Sequence, residues 1–164
     1  MSERLYTTKR GHVRLLERMR RARASYDAVC ATNGDAAEAG DNSVWHDNFA
    51  YEENQRQMHQ LARRLRELEV AAARLIIVSP PRDPSVVSLG CAVRVRDVDA
   101  NTERVWIIAG WEDGDTAESR ISYTSPLAQA LLGAEEGDRR SLELATGRVR
   151  LEVLEVSPAP EEAV

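Results

Sequence analysis

The chain has 164 residues, a formal net charge of −5 and 43% hydrophobic residues, which leaves room for one ordinary domain or two small ones. Its mild acidity argues against a duplex-binding protein, and no apolar run approaches the length of a membrane span. The Arg-rich start lacks the apolar core of a signal peptide, so cytoplasmic residence is expected. Cys30 and Cys91 stand at no metal-ligand spacing, so neither a disulfide framework nor a zinc site is expected.

Thr8 is a candidate cap for a first helix beginning near Lys9. Leu16, Met19, Arg23, Tyr26 and Cys30 form one row at helical spacing, with Leu15, Ala22 and Val29 beside it. Asn33-Gly34 reads as the point where this helix frays or breaks. A second, more regular stripe follows in Tyr51, Asn54, Met58, Leu61, Leu65, Leu68, Ala72 and Leu75, spaced alternately by three and four. The two arms, about 25–30 residues and on the order of 40 Å each, predict a projecting antiparallel coiled-coil hairpin over residues 1–78.

Charge is segregated along this hairpin. Lys/Arg against Asp/Glu gives +5 for residues 1–34, −6 for residues 35–53 and +3 for residues 54–78. The acidic tip, near residues 38–48, is where the helical segment turns back, and carboxylates there suit delivery to an electropositive or metal-containing site. Arg56, Arg63 and Arg64 belong to a basic shaft that either is a solvated face or lies along nascent RNA or an acidic wall. Asp41 and Asp47 also read as capping or turn residues. Trp45 and Phe49 read either as packing of the turn or as tip contacts, and His46, also at the tip, reads as a solvated histidine in preference to a metal ligand beside Asp47.

Ser79-Pro80-Pro81-Arg82-Asp83-Pro84 ends the helical pattern, because proline cannot continue a helix, and residues 79–85 form a linker. Cys91, Val93 and Val95 alternate with Ala92, Arg94 and Arg96 as a half-buried strand, and residues 97–101 supply a turn into residues 102–110. The loop 112–119 reads as a solvated, acidic connection to a short strand at residues 121–123. Ser125-Pro126 reads as an N-cap followed by proline at the first helical position, with Gly133 ending the helix. Strands at 140–144 and 148–156 complete residues 86–156 as a small antiparallel sheet with one short helix, an α+β unit. Residues 157–164 read as a disordered tail.

Thr8-Lys9-Arg10-Gly11 with Leu16, Gly40-Asp41 at the tip, the run Leu89-Gly90-Cys91-Ala92-Val93 and the block Ile121-Ser122-Tyr123-Thr124-Ser125-Pro126-Leu127 through Gly133 resemble the Gre transcript-cleavage factors of bacterial RNA polymerase. The resemblance spans about residues 5–156 and implies an FKBP-like fold for the C-terminal domain. It implies that this domain, through Thr124, Ser125 and Pro126, docks at the rim of the polymerase secondary channel while the hairpin enters the channel. Tip carboxylates would then help hold the polymerase's catalytic Mg²⁺, so that the chain is no enzyme, has no cofactor of its own and modulates RNA polymerase. A monomer without membrane contact is expected.

The tip departs from the family pattern, in which Gly-Asp is followed shortly by Glu-Asn and an aromatic residue. An ungapped reading puts Val44 at the second acidic position; three extra residues instead align Asp47-Asn48 with Glu-Asn and Tyr51 with the aromatic residue. The gapped reading is favoured because it places the insertion at a turn. On that reading Asp41 and Asp47 are the metal-directed pair and Glu38 a supporting charge. Two alternatives stand beside it. One is a Gre-like factor that inhibits transcription by occupying the channel without stimulating cleavage. The more remote one is an FKBP-like prolyl isomerase, disfavoured because Trp106, Trp111 and Tyr123 are the sheet domain's few aromatics.

Overall fold

The computed structural model describes residues 4–38 and 48–160. It divides into two units, one formed by Leu15–Arg74 and the other by Met1–Arg14 together with Leu75–Val164.

The first unit is helical. Helix α1 spans Lys9–Glu38 and helix α2 spans Asn48–Ala73. Leu65 and Leu68 of the α2 stripe are buried, and Asn54, Met58, Leu61 and Ala72 are partly buried, so one face of α2 carries the apolar seam. The α1 seam mixes the two expected rows: Leu15 is buried, Met19, Ala22, Tyr26 and Val29 are half-buried, and Leu16 is 48% exposed. An Arg23–Glu69 pair at 3.5 Å joins the two helices. Helix α1 runs through Asn33-Gly34 to Glu38, contrary to the expected break; glycine inside a helix costs only about 1 kcal/mol, which the surrounding helical turns absorb.

The second unit is built around a five-stranded sheet. Strands β3 (Cys91–Asp97), β4 (Thr102–Ala109), β5 (Arg120–Ser122), β6 (Arg139–Leu144) and β7 (Gly147–Pro158) lie in the order β5-β4-β3-β7-β6. The pairs β3–β4, β3–β7 and β6–β7 are antiparallel, whereas β5 joins β4 in parallel, Ile108 facing Ile121. Leu154 is the extra residue of a bulge, since Arg94 faces Glu155 and Val95 faces Val153; such a bulge bends the strand and curls the sheet. Helix α3 (Pro126–Leu131) packs Ala128 and Leu131 into a core with Val93, Val95, Ile108, Leu142, Leu151 and Val153.

The chain termini differ from expectation. A parallel pair, β1 (Leu5–Thr7) with β2 (Leu75–Ile77), belongs with the sheet unit, so the expected boundary at Val78 does not divide the chain where the structure does. The Tyr6 carbonyl accepts from the Trp111 N–H at 2.9 Å, and Gly110 lets Thr7 approach so closely that an added Cβ would fall 2.2 Å from Thr7 Oγ1. Three-residue strands separated by two long helices leave no local pattern to find. At the other end, Ser157 pairs with Ala92 and Pro158 with Cys91, and the Ala159 N–H donates to the Gly90 carbonyl with Ala159 fully buried. Ser157 and Pro158 of the expected tail therefore continue the sheet, because β3 begins at Cys91 and its first residues pair with the end of β7; residues 161–164 lie outside the described residues.

At the β3–β4 turn, Asp97 Oδ1 accepts the Asp99 and Ala100 N–H groups at 3.0 and 2.9 Å, and Asn101 takes φ of 51°. Asp99 is paired with Arg150, whose hydrogen bond holds the Asp99 carboxyl below the ordinary aspartate range. With a depressed folded-state value, this contribution is present above the usual aspartate range and is lost as pH falls through the depressed one. Carbon-detected NMR of Asp99 should show this low titration midpoint, and Arg150→Ala should return it to the ordinary range.

Candidate functional site

The turn Thr124-Ser125-Pro126 is the best defined of the expected sites. Tyr123 ends the core block, and the Ser125 N–H donates to the Ser122 carbonyl at 2.9 Å. Ser125 is the N-cap of α3, its Oγ accepting the Ala128 N–H at 3.3 Å, and Pro126 occupies the first helical turn. Ser122 and Thr124 share a hydroxyl hydrogen bond of 2.9 Å, and Gln129 Nε2 donates to the Tyr123 carbonyl at 2.7 Å. Thr124 and Pro126 are exposed while Ser125 is half-buried. A rigid, capped turn with two outward side chains loses little conformational freedom when it meets a partner.

The helical tip is only partly placed. Asp41, Trp45, His46 and Asp47 lie outside the described residues, as does the side chain of Glu38, the last residue of α1. Phe49, in the first turn of α2, is 74% exposed. Glu52 and Glu53 sit after the first turn of α2, and Glu53 accepts from Arg56 Nη1 at 2.9 Å. On the shaft, Arg64 reaches Glu67 at 3.6 Å and Arg63 is exposed. Two of the three basic-shaft residues thus have carboxylate neighbours on their own helix.

Sequence reasoning missed a charged cluster at the root of α1. Asp113 was expected in a solvated loop, yet its side chain is 3% exposed and meets Arg120, itself fully buried, at 2.6 Å. Arg14 of α1 approaches Asp113 at 3.3 Å and Glu118 at 3.3 Å, and Arg10 reaches Glu118 at 2.9 Å. Gly11 completes the fit, for a Cβ there would lie 2.1 Å from Thr7 Oγ1 and 3.2 Å from Asp113 Oδ2. The loop is acidic because it faces helix cations. A low local dielectric strengthens that pairing.

A separate cleft of about 510 Å³ opens beside the sheet core, lined by Trp106, Leu127, Leu142, Leu144 and Val149 among others. Trp106 is its one aromatic lining residue. Among the described residues there is no group of three or more His, Cys, Asp or Glu side chains that could hold a metal ion, and no helix is long and apolar enough to cross a membrane.

Fold and site together define a protein with a helical hairpin whose acidic stretch lies between the helices, and a curled sheet unit bearing a rigid exposed turn. Residues 82–158 match the family model for the C-terminal part of transcription elongation factor GreA/GreB. The chain is 30% identical over 156 residues to transcription elongation factor GreA of Hyphomonas neptunium, covering 94% of this chain and 98% of that one. It is 31% identical over 145 residues to the GreA of Paracoccus denitrificans, covering 88% and 90%. It is also similar to the crystal structure of GreA factor homolog 1 (Gfh1) of Thermus thermophilus, at 22% identity, 94% and 99% coverage and a TM-score of 0.45. The chain belongs to the GreA/GreB family of transcription elongation factors.

Proposed function

We propose that this protein is a Gre-type elongation factor that binds RNA polymerase through its sheet unit and inserts the hairpin into the secondary channel. The observation that carries this reading is the exposed, capped turn Thr124-Ser125-Pro126 in a chain whose acidic stretch lies between helices of 30 and 26 residues. Thirty helical residues span about 45 Å, enough to carry side chains far from a docking site. Asp41 and Asp47 are the tip carboxylates directed at the catalytic Mg²⁺ of the polymerase. Their oxygen donors suit a hard dication, and an added carboxylate can complete the coordination used in phosphoryl transfer. The protein supplies ligands and the polymerase cuts the backtracked RNA.

A second reading, inhibition by occupying the channel without cleavage, is favoured by the altered tip, where Val44-Trp45-His46 precedes Asp47. Stalled, backtracked elongation complexes incubated with the protein separate the two. RNA shortening followed by faster extension supports the first; slower extension without shortening supports the second; failure to bind polymerase rejects both.

Docking has its own test. Thr124→Arg combined with Pro126→Asp keeps the Ser125 cap and should weaken polymerase binding by roughly 10-fold or more, as loss of a central contact does. Unchanged affinity in a direct binding titration would remove this turn from the interface.

A further inference from the structure

We propose that a groove at the root of α1 is a second polymerase contact, taking a protein segment that carries carboxylates beside aliphatic side chains. The proposal rests on the Gre-type reading above. The groove has a volume of about 900 Å³; its walls include Val13, Ile77, Pro80 and Pro81, and its cations are Lys9 and Arg82, with the His12 imidazole between the walls. Val13 and Ile77 are 50% and 51% exposed and both line this one groove.

The charge distribution picks out this face. At about 100° per residue, Lys9, His12 and Val13 share one side of α1, with Arg10 and Arg14 displaced around it. Arg10 and Arg14 pair with Glu118 and Asp113. Among the described residues no carboxylate pairs with Lys9, His12 or Arg82. Residues 1–14 carry +3 and residues 75–164 carry −7, so the sheet unit is acidic overall and the unpaired Lys9 and Arg82 stand out against it.

The groove also continues toward the docking turn. Val78 and Pro81 line both it and an adjoining apolar cleft that includes Tyr6, Leu89, Tyr123 and Leu132. Tyr123 directly precedes Thr124, so a polymerase segment seated on the docking turn can run across the cleft into the cationic groove. Valine, isoleucine and proline walls offer no stacking platform for bases, which favours a protein segment over RNA.

The test uses the full chain and core RNA polymerase. Lys9→Glu with Arg82→Glu, both at exposed positions, should leave the circular dichroism and melting curve unchanged, weaken polymerase binding about 10-fold or more, and flatten its salt dependence. A benzoylphenylalanine in place of Ile77 should crosslink to an Asp/Glu-rich polymerase peptide. Wild-type affinity in the charge-reversed protein overturns the proposal while leaving the Gre-type reading intact. So does crosslinking only to RNA, to a second copy, or to this chain's own Glu161 and Glu162. Failure of the wild-type protein to bind polymerase instead defeats the reading on which the proposal rests.

Discussion

Asp41→Ala combined with Asp47→Ala is expected to lower stimulated RNA cleavage by about 100-fold or more, the usual scale for removing a charge-stabilising group from a phosphoryl or acyl transfer site. Polymerase affinity should change little, because the docking turn lies elsewhere in the chain. The measurement is single-turnover shortening of RNA in a backtracked complex at saturating factor, so that binding and chemistry separate. Asp47→Glu provides the sharper comparison. If the three-residue insertion places Asp47 where the family carries glutamate, the longer side chain should retain or raise cleavage. Shortening that persists in the double alanine variant would eliminate the ligand role for both residues.

The second large effect is on folding. Asp113→Ala removes the carboxylate facing the fully buried Arg120 guanidinium and also the 3.3 Å approach of Arg14. Breaking one partner of a buried ion pair costs about 3–5 kcal/mol, because a charge remains in a poorly solvated site. Urea unfolding of the variant should show that loss, and Asp113→Asn, which keeps hydrogen-bonding capacity, should lose less. A decrease below about 1 kcal/mol would show that other contacts carry Arg120. Since Arg14 is the last residue of α1 within the sheet unit, the variant should also increase hydrogen exchange in the first turns of that helix.

Much of the architecture was legible because it rests on short-range patterns. The three-four spacing from Asn54 to Ala72 marked the buried side of α2, although Tyr51 at the start of the expected stripe is exposed and Leu75 at its end belongs to β2, and alternation through Cys91, Val93 and Val95 marked the inward face of β3. The Ser125 cap followed by Pro126 located α3 to the residue. Thr8 was likewise readable: the Gly11 N–H donates to its Oγ1 at 3.2 Å, as an N-cap requires. The turn Thr124-Ser125-Pro126 shares this legibility, since its geometry comes from capping within a few residues.

The α1 seam was ambiguous because two apolar rows run beside one another, and only packing selects Leu15 over Leu16. The acidic stretch between the helices is a pure sequence finding: composition and the family resemblance single out Asp41 and Asp47, and the described residues end on either side of them.

What the sequence determined by itself was therefore the succession of elements, the capped turn at Thr124-Ser125-Pro126 and the segregation of negative charge between two helices, all properties of residues near one another in the chain. Tertiary structure decided the rest. It brought Leu5–Thr7 against Leu75–Ile77, turned a loop that looked solvated into the buried partner of Arg120 and Arg14, and left Lys9, His12 and Arg82 around an apolar groove. The same residue types are solvated or buried, paired or unpaired, according to neighbours as many as 108 positions away, and no local periodicity records those neighbours.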